Sequence, residues 1–457
     1  MAITAQESLS FAGGVHPPDS KSLTEDQEIQ PGPPAAHLAV FLSQHIGAPC
    51  QPAVQKGDTV EAGQVIGECH AFVCAPVHSP VGGKVKEVSL QSHPILGRSP
   101  AVVIEPDAET RPAKPSFSRP RDFDPAAYES EQICEAVREA GIVGMGGAGF
   151  PTSIKIQPDP KNPKETLLIN ACECEPYITC DYRVMLEWTD QVITGIQLIQ
   201  RACGASNVFV AIEDNKPKAI EKIGASLEAL GLTEKIKVVP VKTKYPQGGE
   251  RQLIKAALGK TVPTGAIPPN IGVVVSNVAT AAAVAEAVVD HRPLTHRVVT
   301  VTGEGVTRRG NFYVPVGTPV ATLIDHCGGI TTDGVKVVLG GPMMGLAIAD
   351  LNTPITKAGG AVTVLTKEQI GKAKFERQQT ACIRCGRCLE VCPENLNPTK
   401  IAHAVKNNLL DVAERYYISA CIECGCCSYV CPANIELTGY IKTGKIFLAR
   451  QKKKMPG

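Results

Sequence analysis

The chain has 457 residues with 46 basic and 45 acidic side chains, which gives a formal net charge of +1. This length predicts two to four domains, because a single hydrophobic core rarely serves a chain of more than about 250–300 residues. The balanced charge argues against a general nucleic-acid binder, whose binding face normally carries a basic excess. The first residues, MAITAQESLS, lack the features of a secretory signal, and the longest apolar window, 271–289, is broken by polar side chains. We therefore expect a soluble protein whose membrane attachment, if any, is peripheral.

The first third of the chain divides into an arm, a small β domain and a linker. Residues 1–34 are polar and rich in glycine and proline, which predicts an extended arm. Residues 35–105 alternate short apolar runs with turn signals, as all-β units do. The stretch QKGDTVEAGQVIGE resembles lipoyl and biotinyl hairpins, but the later turn CHAFVCAPVHSPVGG has no modifiable lysine. We therefore expect a lipoyl-like barrel-sandwich used for docking, followed by a proline-rich linker at 106–127.

A glycine-rich loop follows the linker. The segment ESEQICEAVREAGIV predicts a helix with one apolar face and leads into GMGGAGFPTSIK, residues 144–155. The loop matches G-x-G-x-x-G, but a Rossmann loop follows a strand, whereas this one follows a helix. Pro151 is compatible with the first turn of a new helix, so loop amides and that helix N-terminus would face an anion. A plain glycine-rich turn is the alternative.

Three further motifs follow in order. After the predicted strand ETLLI come NACECEP at 170–176, YPQGGE at 245–250 and VSNVAT at 275–280. Together with the glycine loop they resemble R-G-G-A-G-F-P-T-G-x-K, N-A-D-E-S-E-P, Y-x-x-G-E-E and I-N-N-V-E-T of the flavin-binding subunit family of respiratory complex I. That family binds FMN and oxidises NADH, so the resemblance implies an α/β domain for both cofactors at 128–292.

The resemblance implies a role for each matching residue. Those implied to cradle FMN or to bind its phosphate, ribityl or ring atoms are Gly144, Gly146, Gly147, Lys155, Asn170, Asn277 and Thr280. Glu173 would lie against the flavin. The implied NADH contacts are Phe150, Glu175 and Glu250, and the remaining cofactor-binding positions are Gly149 and Tyr245.

Four positions depart from the family pattern. Met145 stands for an arginine, Cys172 for an aspartate, Gly249 for a glutamate and Ser276 for an asparagine. Because the glycine frame and Lys155 remain, these departures bear on NADH binding more than on FMN binding.

Several of these residues have simpler alternatives. Glu173 and Glu175 would then be solvated surface carboxylates, and Lys155 a solvated helix residue. A third metal site is suggested by composition at Cys172, Cys174 and Cys180. They lack a fourth partner nearby in the sequence, so we expect unmetallated thiols there.

Residues 293–367 resemble the soluble-ligand-binding β-grasp module. The stretch RVVTVTGEGVTRRGNFYVPVGTPVATLIDHCGGI predicts strand, turn, strand and a helix at about residues 321–326. GGPMMG at 340–345 is predicted to be a tight loop.

Cysteine spacing defines the C-terminal domain, residues 368–457. The chain has 18 cysteines, and without a visible export signal they suggest metal ligands rather than a disulfide scaffold. Eight form two copies of C-x2-C-x2-C-x3-C-P, the run that binds 4Fe–4S clusters in bacterial ferredoxins. Zinc is the alternative, but zinc sites usually show paired knuckles rather than such a triplet.

The fourth cysteine of each run ligates the other cluster in two-cluster ferredoxins. This rule assigns cluster one to Cys382, Cys385, Cys388 and Cys431, and cluster two to Cys421, Cys424, Cys427 and Cys392. Cys426 is predicted to be a packed residue, with ligand exchange with Cys427 as the alternative.

Nearly the whole chain resembles the RnfC family, one component of the Rnf ion-translocating oxidoreductase complexes, which are also called Rsx. The lipoyl-like barrel, the two-cluster ferredoxin and the opening FAGGVHPPDSK carry this resemblance. It implies a multidomain α/β plus β protein, a translocase subunit that passes electrons between NADH, FMN and two 4Fe–4S clusters. Its partners would be the other Rnf membrane subunits, especially the ferredoxin-like iron–sulfur subunit, at the cytoplasmic face of the bacterial inner membrane. No side chain is expected to act as a general acid or base, since the cofactors carry the chemistry.

Three other functions remain open at this point. The first is a soluble NADH-dependent flavin and iron–sulfur reductase similar to cobalamin reductase. The second is a non-catalytic electron-transfer adaptor without NADH affinity. The third is a ferredoxin scaffold in which the glycine loop is purely structural.

Overall fold

The computed structural model describes residues 9–107, 117–370 and 378–454. Parts of the predicted arm, linker and C-terminal domain lie outside the described residues, at 1–8, 108–116, 371–377 and 455–457. Within the described ranges, no helix combines the length and the apolar character needed to cross a bilayer.

The chain alternates β-rich and mixed α/β regions. The strands are β1 Ile29–Pro31, β2 Leu38–Phe41, β3 Gln51–Pro52, β4 Thr59–Val60, β5 Val65–Glu68, β6 Val77–His78, β7 Gly83–His93, β8 Gly97–Pro106, β9 Thr166–Ala171, β10 Asn207–Glu213, β11 Ile236–Val241, β12 Val273–Asn277, β13 His296–Thr302, β14 Gly310–Pro315, β15 Gly334–Leu339, β16 Leu346–Ile348 and β17 Ala361–Thr366. The helices are α1 Ser130–Glu139, α2 Thr152–Ile156, α3 Cys180–Glu187, α4 Thr189–Cys203, α5 Pro217–Ala229, α6 Glu250–Leu258, α7 Val278–Val289, α8 Val320–His326, α9 Lys367–Ile370, α10 Arg387–Glu390, α11 Pro398–Lys406, α12 Leu410–Arg415, α13 Cys426–Tyr429 and α14 Leu437–Lys454.

Strands β2 to β8 form two small sheets, ordered β2-β8-β7-β4 and β3-β5-β6. Along β7, buried Val85 lies between exposed Lys84 and Lys86, so the strand shows one face to the core and one to solvent. Both sheets contribute to one apolar cluster that includes Leu38, Val40, Ile66, Val77, Val102 and Ile104. Two sheets packed through their apolar faces form a sandwich, so the all-β prediction for this region is confirmed.

The four strands β9 to β12 form a parallel sheet in the order β11-β10-β9-β12. Successive residues of β9 enter different cores: Leu167 and Ile169 join one apolar cluster, and Leu168 joins another. A parallel sheet is covered by helices on both faces, which explains why its strands are apolar throughout. Asn170 and Asn277 are register partners at the ends of β9 and β12. Two of the predicted cofactor motifs therefore begin at the same edge of this sheet.

The β-grasp region forms a sheet in the order β1-β14-β13-β17-β15-β16. Its helix α8 matches the prediction for residues 321–326 to within one residue. Strand β1 comes from the arm and pairs with β14 in parallel, so this part of the arm is a sheet strand rather than a free extension. The buried Asn311 amide donates to the carbonyls of Thr24 and Gln27, both at 3.0 Å, which fixes the arm to β14.

The two cysteine runs adopt the same backbone conformation. Left-handed φ angles occur at equivalent places, 57° at Arg384 and 59° at Glu423, then 54° at Asn395 and 53° at Asn434. Each run also ends its turn with a glycine of positive φ and enters a four-residue helix, α10 or α13. The duplicated sequence therefore folds as a duplicated structure.

The arm lies between the α/β domain and the ferredoxin region. Val15 and Tyr245 exchange backbone hydrogen bonds of 2.8 and 2.9 Å, and the Gly14 amide donates to Val391 at 2.9 Å. Farther along, the buried Lys21 ammonium donates to the carbonyls of Glu173, Glu175 and Ile178. The arm thus contributes buried contacts to both neighbouring units.

Helix α4 crosses α7 so closely that Gly195 has no room for a side chain. A Cβ there would lie 1.7 Å from the carbonyl oxygen of Ala281. Gly195→Ala should therefore separate the two helices and destabilise the α/β domain by at least about 2 kcal/mol. A lower Tm and faster amide hydrogen exchange in α4 and α7 would report the effect.

Gly224→Ala is the matched control, since Gly224 lies within α5 and a Cβ there meets no atom within 4 Å. This substitution should stabilise the domain by about 0.5–1 kcal/mol, because alanine favours helix more than glycine does. Equal Tm values for the two variants would contradict the close crossing.

Candidate cofactor sites

The glycine loop is closed at its base and anchored to α7. The Gly144 amide donates to the Phe150 carbonyl at 2.9 Å, and Val143 and Pro151 form a β-bridge. The Met145 amide donates to the hydroxyl of Thr280 at 3.0 Å. The loop therefore follows a helix, as predicted, and lies against the N-terminus of α7.

The tip of the loop, residues 146–148, is exposed. A Cβ on Gly147 would meet no described atom within 4 Å, whereas one on Gly146 would lie 2.6 Å from the side-chain nitrogen of Asn277. Gly146 is thus required by packing, and Gly147 leaves free space in front of the backbone. An exposed glycine backbone with a lysine nearby fits the phosphate of a flavin nucleotide. Helix α2 begins directly after Pro151, as predicted, and has five residues.

The two strand-end asparagines hold other motifs together. The Asn277 side-chain oxygen accepts from the amides of Ala279 at 2.8 Å and Thr280 at 3.2 Å, which caps α7. The Asn170 amide donates to the Gly248 carbonyl at 2.8 Å. These contacts bring the NACECEP, YPQGGE and VSNVAT motifs together at one edge of the parallel sheet.

Lys155 and Glu250, one predicted for FMN and the other for NADH, form an ion pair. The Lys155 ammonium lies 3.1 Å from a Glu250 oxygen and 3.0 Å from the Val275 carbonyl. The Lys155 side chain is 31% exposed and that of Glu250 is 41% exposed. Lys155 is therefore partly buried and hydrogen-bonded rather than fully solvated, while Glu250 stays accessible to a ligand.

Glu173 and Glu175 are partly buried residues whose carboxylates accept backbone hydrogen bonds, which argues against solvated surface carboxylates. Glu173 has a left-handed φ of 51° and accepts from the amides of Asp181 at 2.6 Å and Tyr182 at 3.3 Å. Glu175 accepts from the amides of Met343 at 3.2 Å and Met344 at 2.8 Å in the GGPMMG loop. Burial raises the pKa of each carboxyl to about 7. Both glutamates therefore position backbone in addition to any role toward a cofactor.

The three cysteines suggested as a third metal site are Cys172 and Cys180, which are buried, and Cys174, which is partly buried. Desolvation raises the pKa of each thiol. Cys172 and Cys174 pack against Gly248, whose Cβ would lie 3.4 Å from the Cys172 Cβ and 3.2 Å from the Cys174 sulfur. Cys180 lies instead beside the carboxylates of Glu173 and Asp181. The structure therefore does not gather the three cysteines around one point.

One cavity brings together cysteines from both ferredoxin runs. It has a volume of about 370 Å³, part of it open to solvent, and is lined by Cys392, Cys421, Cys424 and Cys427 among other residues. These are the four ligands that the sequence assigned to cluster two. Cys426 also lines this space, so five thiols face it, and four of them are the number that a 4Fe–4S cluster requires.

The cysteines assigned to cluster one lie nearer the solvent. Cys382 and Cys385 are exposed, and Cys388 and Cys431 are partly buried. Backbone amides donate to sulfur at equivalent places, 3.4 Å at Cys382 and 3.3 Å at Cys421. Such hydrogen bonds tune the reduction potential of a cluster. Because both ligand sets have one at an equivalent place, the difference between the sets that stands out is their exposure to solvent.

Sequence reasoning missed the contacts that join the α/β domain to the ferredoxin region. The Tyr245 hydroxyl, predicted to bind a cofactor, donates to the Cys424 carbonyl at 2.7 Å and is buried. The Gln252 side chain donates to Glu394 at 2.6 Å. The glycines of FAGGV were the available signal, because a Cβ on Gly13 would lie 3.1 Å from the Cys392 carbonyl oxygen.

Four family models match the chain in succession. They are the RnfC barrel sandwich hybrid domain at 9–109, the Nuo51 FMN-binding domain at 137–286, the SLBB domain at 298–347 and the 4Fe-4S dicluster domain at 376–435. The predicted kinds of domain and their order are confirmed, and the chain contains an FMN-binding domain and a dicluster domain.

Curated relatives are similar over most of the chain. The C component of the proton-translocating ferredoxin:NAD(+) oxidoreductase complex of Clostridium ljungdahlii is 41% identical over 89% of this chain and 87% of its own. The Na(+)-translocating counterpart of Acetobacterium woodii is 39% identical over 89% of each chain. The C component of the ion-translocating oxidoreductase complex of Rhodobacter capsulatus is 42% identical over 86% of this chain and 75% of its own. The chain belongs to the RnfC family, which supplies the C component of these ion-translocating oxidoreductase complexes.

Proposed function

We propose that this chain is the peripheral subunit through which electrons pass between NADH and the rest of an ion-translocating ferredoxin:NAD oxidoreductase. One observation carries the proposal: cysteines of both runs line one cavity, and this cavity is packed onto the α/β domain that bears the glycine loop. The names of the relatives supply the overall reaction and the membrane complex. We infer attachment at the cytoplasmic face of a bacterial inner membrane, with a ferredoxin-like subunit as partner.

FMN would be held at the edge of the parallel sheet. When bound, it supplies the conversion between the two-electron chemistry of NADH and the one-electron chemistry of iron–sulfur clusters. Residues 146–148 are exposed with open space in front of Gly147, so their amides would be available to a phosphate, and Lys155 on the following helix would supply a positive charge. Asn170 and Asn277 fix the surrounding motifs, since both use their side chains to bind backbone groups.

NADH would be recognised by Glu250. Among the three glutamates predicted at the site, it is the one whose carboxylate is substantially exposed and not held by backbone amides. A carboxylate there accepts hydrogen bonds from ribose hydroxyls and repels the additional phosphate of NADPH. Lys155 is the ion-pair partner of Glu250 and would also bind the flavin phosphate. Binding of the two cofactors would therefore change the contact between Lys155 and Glu250.

The order of the clusters follows from burial. The cysteines of cluster two lie in the cavity next to Tyr245 and are therefore the ones that face the flavin domain. Cluster one would be the exit, because Cys382 and Cys385 are exposed and the neighbouring Ile383 shows 67% of its surface. An exposed apolar residue beside a cluster suits the docking of the partner iron–sulfur subunit.

The adaptor function is the second candidate. One observation favours it: both carboxylate oxygens of Glu175, a predicted NADH contact, already accept hydrogen bonds from the GGPMMG loop. Bleaching of the bound flavin by NADH under anaerobic conditions distinguishes the two functions. Complete bleaching within the mixing time of a stopped-flow experiment supports the proposal, and an unchanged flavin spectrum would leave only the adaptor.

Cys427→Ser tests the assignment of ligands to cluster two. Wild-type protein should contain about eight irons per chain, and the variant about four or fewer. The serine removes one thiolate ligand of cluster two, and cluster one is affected as well because each run supplies a ligand to both clusters. Cys426→Ala is the matched control, since the adjacent Cys426 thiol points toward the Tyr245 carbonyl, 3.9 Å away. Iron and sulfide analysis measures both. Loss of iron in the control alone would mean that the two cysteines exchange roles.

Gly147→Val tests the flavin cradle. The space in front of Gly147 is open, so the variant should fold normally, and the branched side chain should exclude the phosphate. We expect flavin content to fall at least about tenfold, equivalent to about 1.4 kcal/mol, with the iron content retained. Gly224→Val, at another open position, serves as the control. Full flavin content in Gly147→Val would disprove the cradle.

Glu250→Gln tests nucleotide recognition. Loss of one charge-assisted hydrogen bond should raise the KM for NADH about tenfold and narrow the preference for NADH over NADPH, with flavin and iron unchanged. Glu234→Gln is the control, since this glutamate forms an exposed ion pair with Lys237. Steady-state reduction of an artificial acceptor with each nucleotide measures the effect. An unaltered nucleotide preference would place NADH recognition elsewhere on the chain.

A further inference from the structure

Two loops of the barrel domain meet at one end of the β3–β5 pair. Gln51 is the register partner of Glu68 in this antiparallel pair. Cys50 precedes β3 and Cys69 follows β5, so the two cysteines lie opposite each other just beyond the ladder. The Ala48 amide also donates to the Val73 carbonyl at 3.0 Å, which holds the two loops together.

These loops gather four side chains of metal-ligating type. The donor atoms of His45, Cys50 and Cys69 all lie within 4.8 Å of one another. Cys69 is bonded to Cys74 as a disulfide, so a third sulfur lies directly beside the group. Neither the flavin site nor the ferredoxin cysteines use any of these residues.

We propose that the reduced form of this cluster binds one Zn²⁺ through His45, Cys50, Cys69 and Cys74. Three cysteines and one histidine are a common ligand set of structural zinc sites, and tetrahedral Zn–S bonds of about 2.3 Å place sulfurs about 3.7 Å apart. The donor atoms of His45, Cys50 and Cys69 are therefore close to the separation that zinc requires. Cys74 Sγ is placed by its bond to Cys69 and would move toward the other three donors once that bond is reduced. A solvent-open depression of about 530 Å³, lined by Cys69 and its neighbours, gives the ion a path of entry.

The surroundings of His45 suit a zinc ligand. Its Nδ1 lies 3.2 Å from the Ile46 carbonyl and its Nε2 lies 3.1 Å from the Ala75 carbonyl. Nε2 also accepts from the Ala75 amide at 3.0 Å, so the proton lies on Nδ1, which faces the Ile46 carbonyl. Zinc on Nε2 would replace the Ala75 amide, and Nδ1–H would keep the backbone acceptor that orients the ring.

Zinc binding requires reduction of the Cys69–Cys74 bond. A dithiol reductant breaks this bond and becomes a disulfide itself, while Cys69 and Cys74 each gain a proton and become thiols. Zinc then displaces the protons of these thiols and of Cys50, whose sulfur otherwise donates to the Ala75 carbonyl at 3.2 Å. The reducing cytosol keeps such thiols available.

The proposed zinc site lies next to the glycine loop. The Ile46 amide donates to the Gly149 carbonyl at 3.3 Å. A Cβ on Gly149 would lie 3.1 Å from the Gln44 carbonyl oxygen, so the two loops are in close contact. Zinc bound to His45 would therefore hold in place the segment that contacts the glycine loop, so its role would be structural.

The test uses the full chain, purified anaerobically with a dithiol after growth in zinc-supplemented medium. We expect about one zinc per chain by elemental analysis. Zinc K-edge X-ray absorption, which is blind to iron, should show three sulfurs at about 2.3 Å and one nitrogen at about 2.0–2.1 Å. Less than about one-tenth of a zinc per chain would overturn the proposal.

Variants locate the metal. Cys50→Ser and the double variant Cys69→Ser/Cys74→Ser should both lose zinc, whereas Cys134→Ser, at a half-buried cysteine of α1, should retain it. The iron content of each preparation reports that the ferredoxin region has folded. If Cys50→Ser and Cys69→Ser/Cys74→Ser both retain zinc, or if the absorption spectrum shows four sulfur ligands, the metal is bound by the ferredoxin cysteines and the proposal is refuted.

Discussion

The hydrogen bond from the Tyr245 hydroxyl to the Cys424 carbonyl fixes the α/β domain against the ferredoxin region. Both groups are buried, so breaking the bond would leave a polar group without water, at a cost of about 1–3 kcal/mol. The arm closes the same seam, because Val15 pairs with the backbone of Tyr245 and Gly14 with Val391. The seam therefore fixes how the FMN-binding domain lies against the ferredoxin region. A rigid polar contact serves that purpose better than apolar packing alone, since it also fixes orientation.

Buried charge supports the turn that follows β9. The Lys21 ammonium is surrounded by three carbonyl oxygens and lies 4.0 Å from the Glu173 carboxylate. Nearby, Lys216 and Glu213 form an ion pair at 3.1 Å with side chains only 2% and 1% exposed. Removing one member of such a pair strands the other charge and typically costs about 3–5 kcal/mol. The strained Glu173 backbone is thus held by electrostatics that originate in the arm.

The sequence predicted what local patterns encode. Cysteine spacing predicted three ligands of each set, since these lie within one short run, and the fourth ligand was assigned to the other run by the rule for two-cluster ferredoxins. Short alternating apolar runs likewise predicted the all-β region, whereas the α/β domain was implied by the resemblance of its four motifs to the complex I flavin-binding family. The sequence did not predict that Glu175 accepts hydrogen bonds from the amides of Met343 and Met344, or that β1 joins the β-grasp sheet. These contacts link residues far apart in the chain, and no local propensity reports them. Tyr245 shows the same limit, because its motif was read for a cofactor while its hydroxyl faces a neighbouring domain.

The position of β1 has a consequence for the order in which the protein matures. Ile29 pairs with Asn311, so more than half of the chain must be synthesised before this strand finds its partner. Contacts of such long sequence separation form late, because the loop between them must first be closed. We therefore expect β1 to wait unpaired on the nascent chain while the barrel and the α/β domain fold. The Val15–Tyr245 pairing can form at that stage, whereas the contact of Gly14 with Val391 forms only after the first cysteine run has been synthesised, so the arm joins the ferredoxin region last.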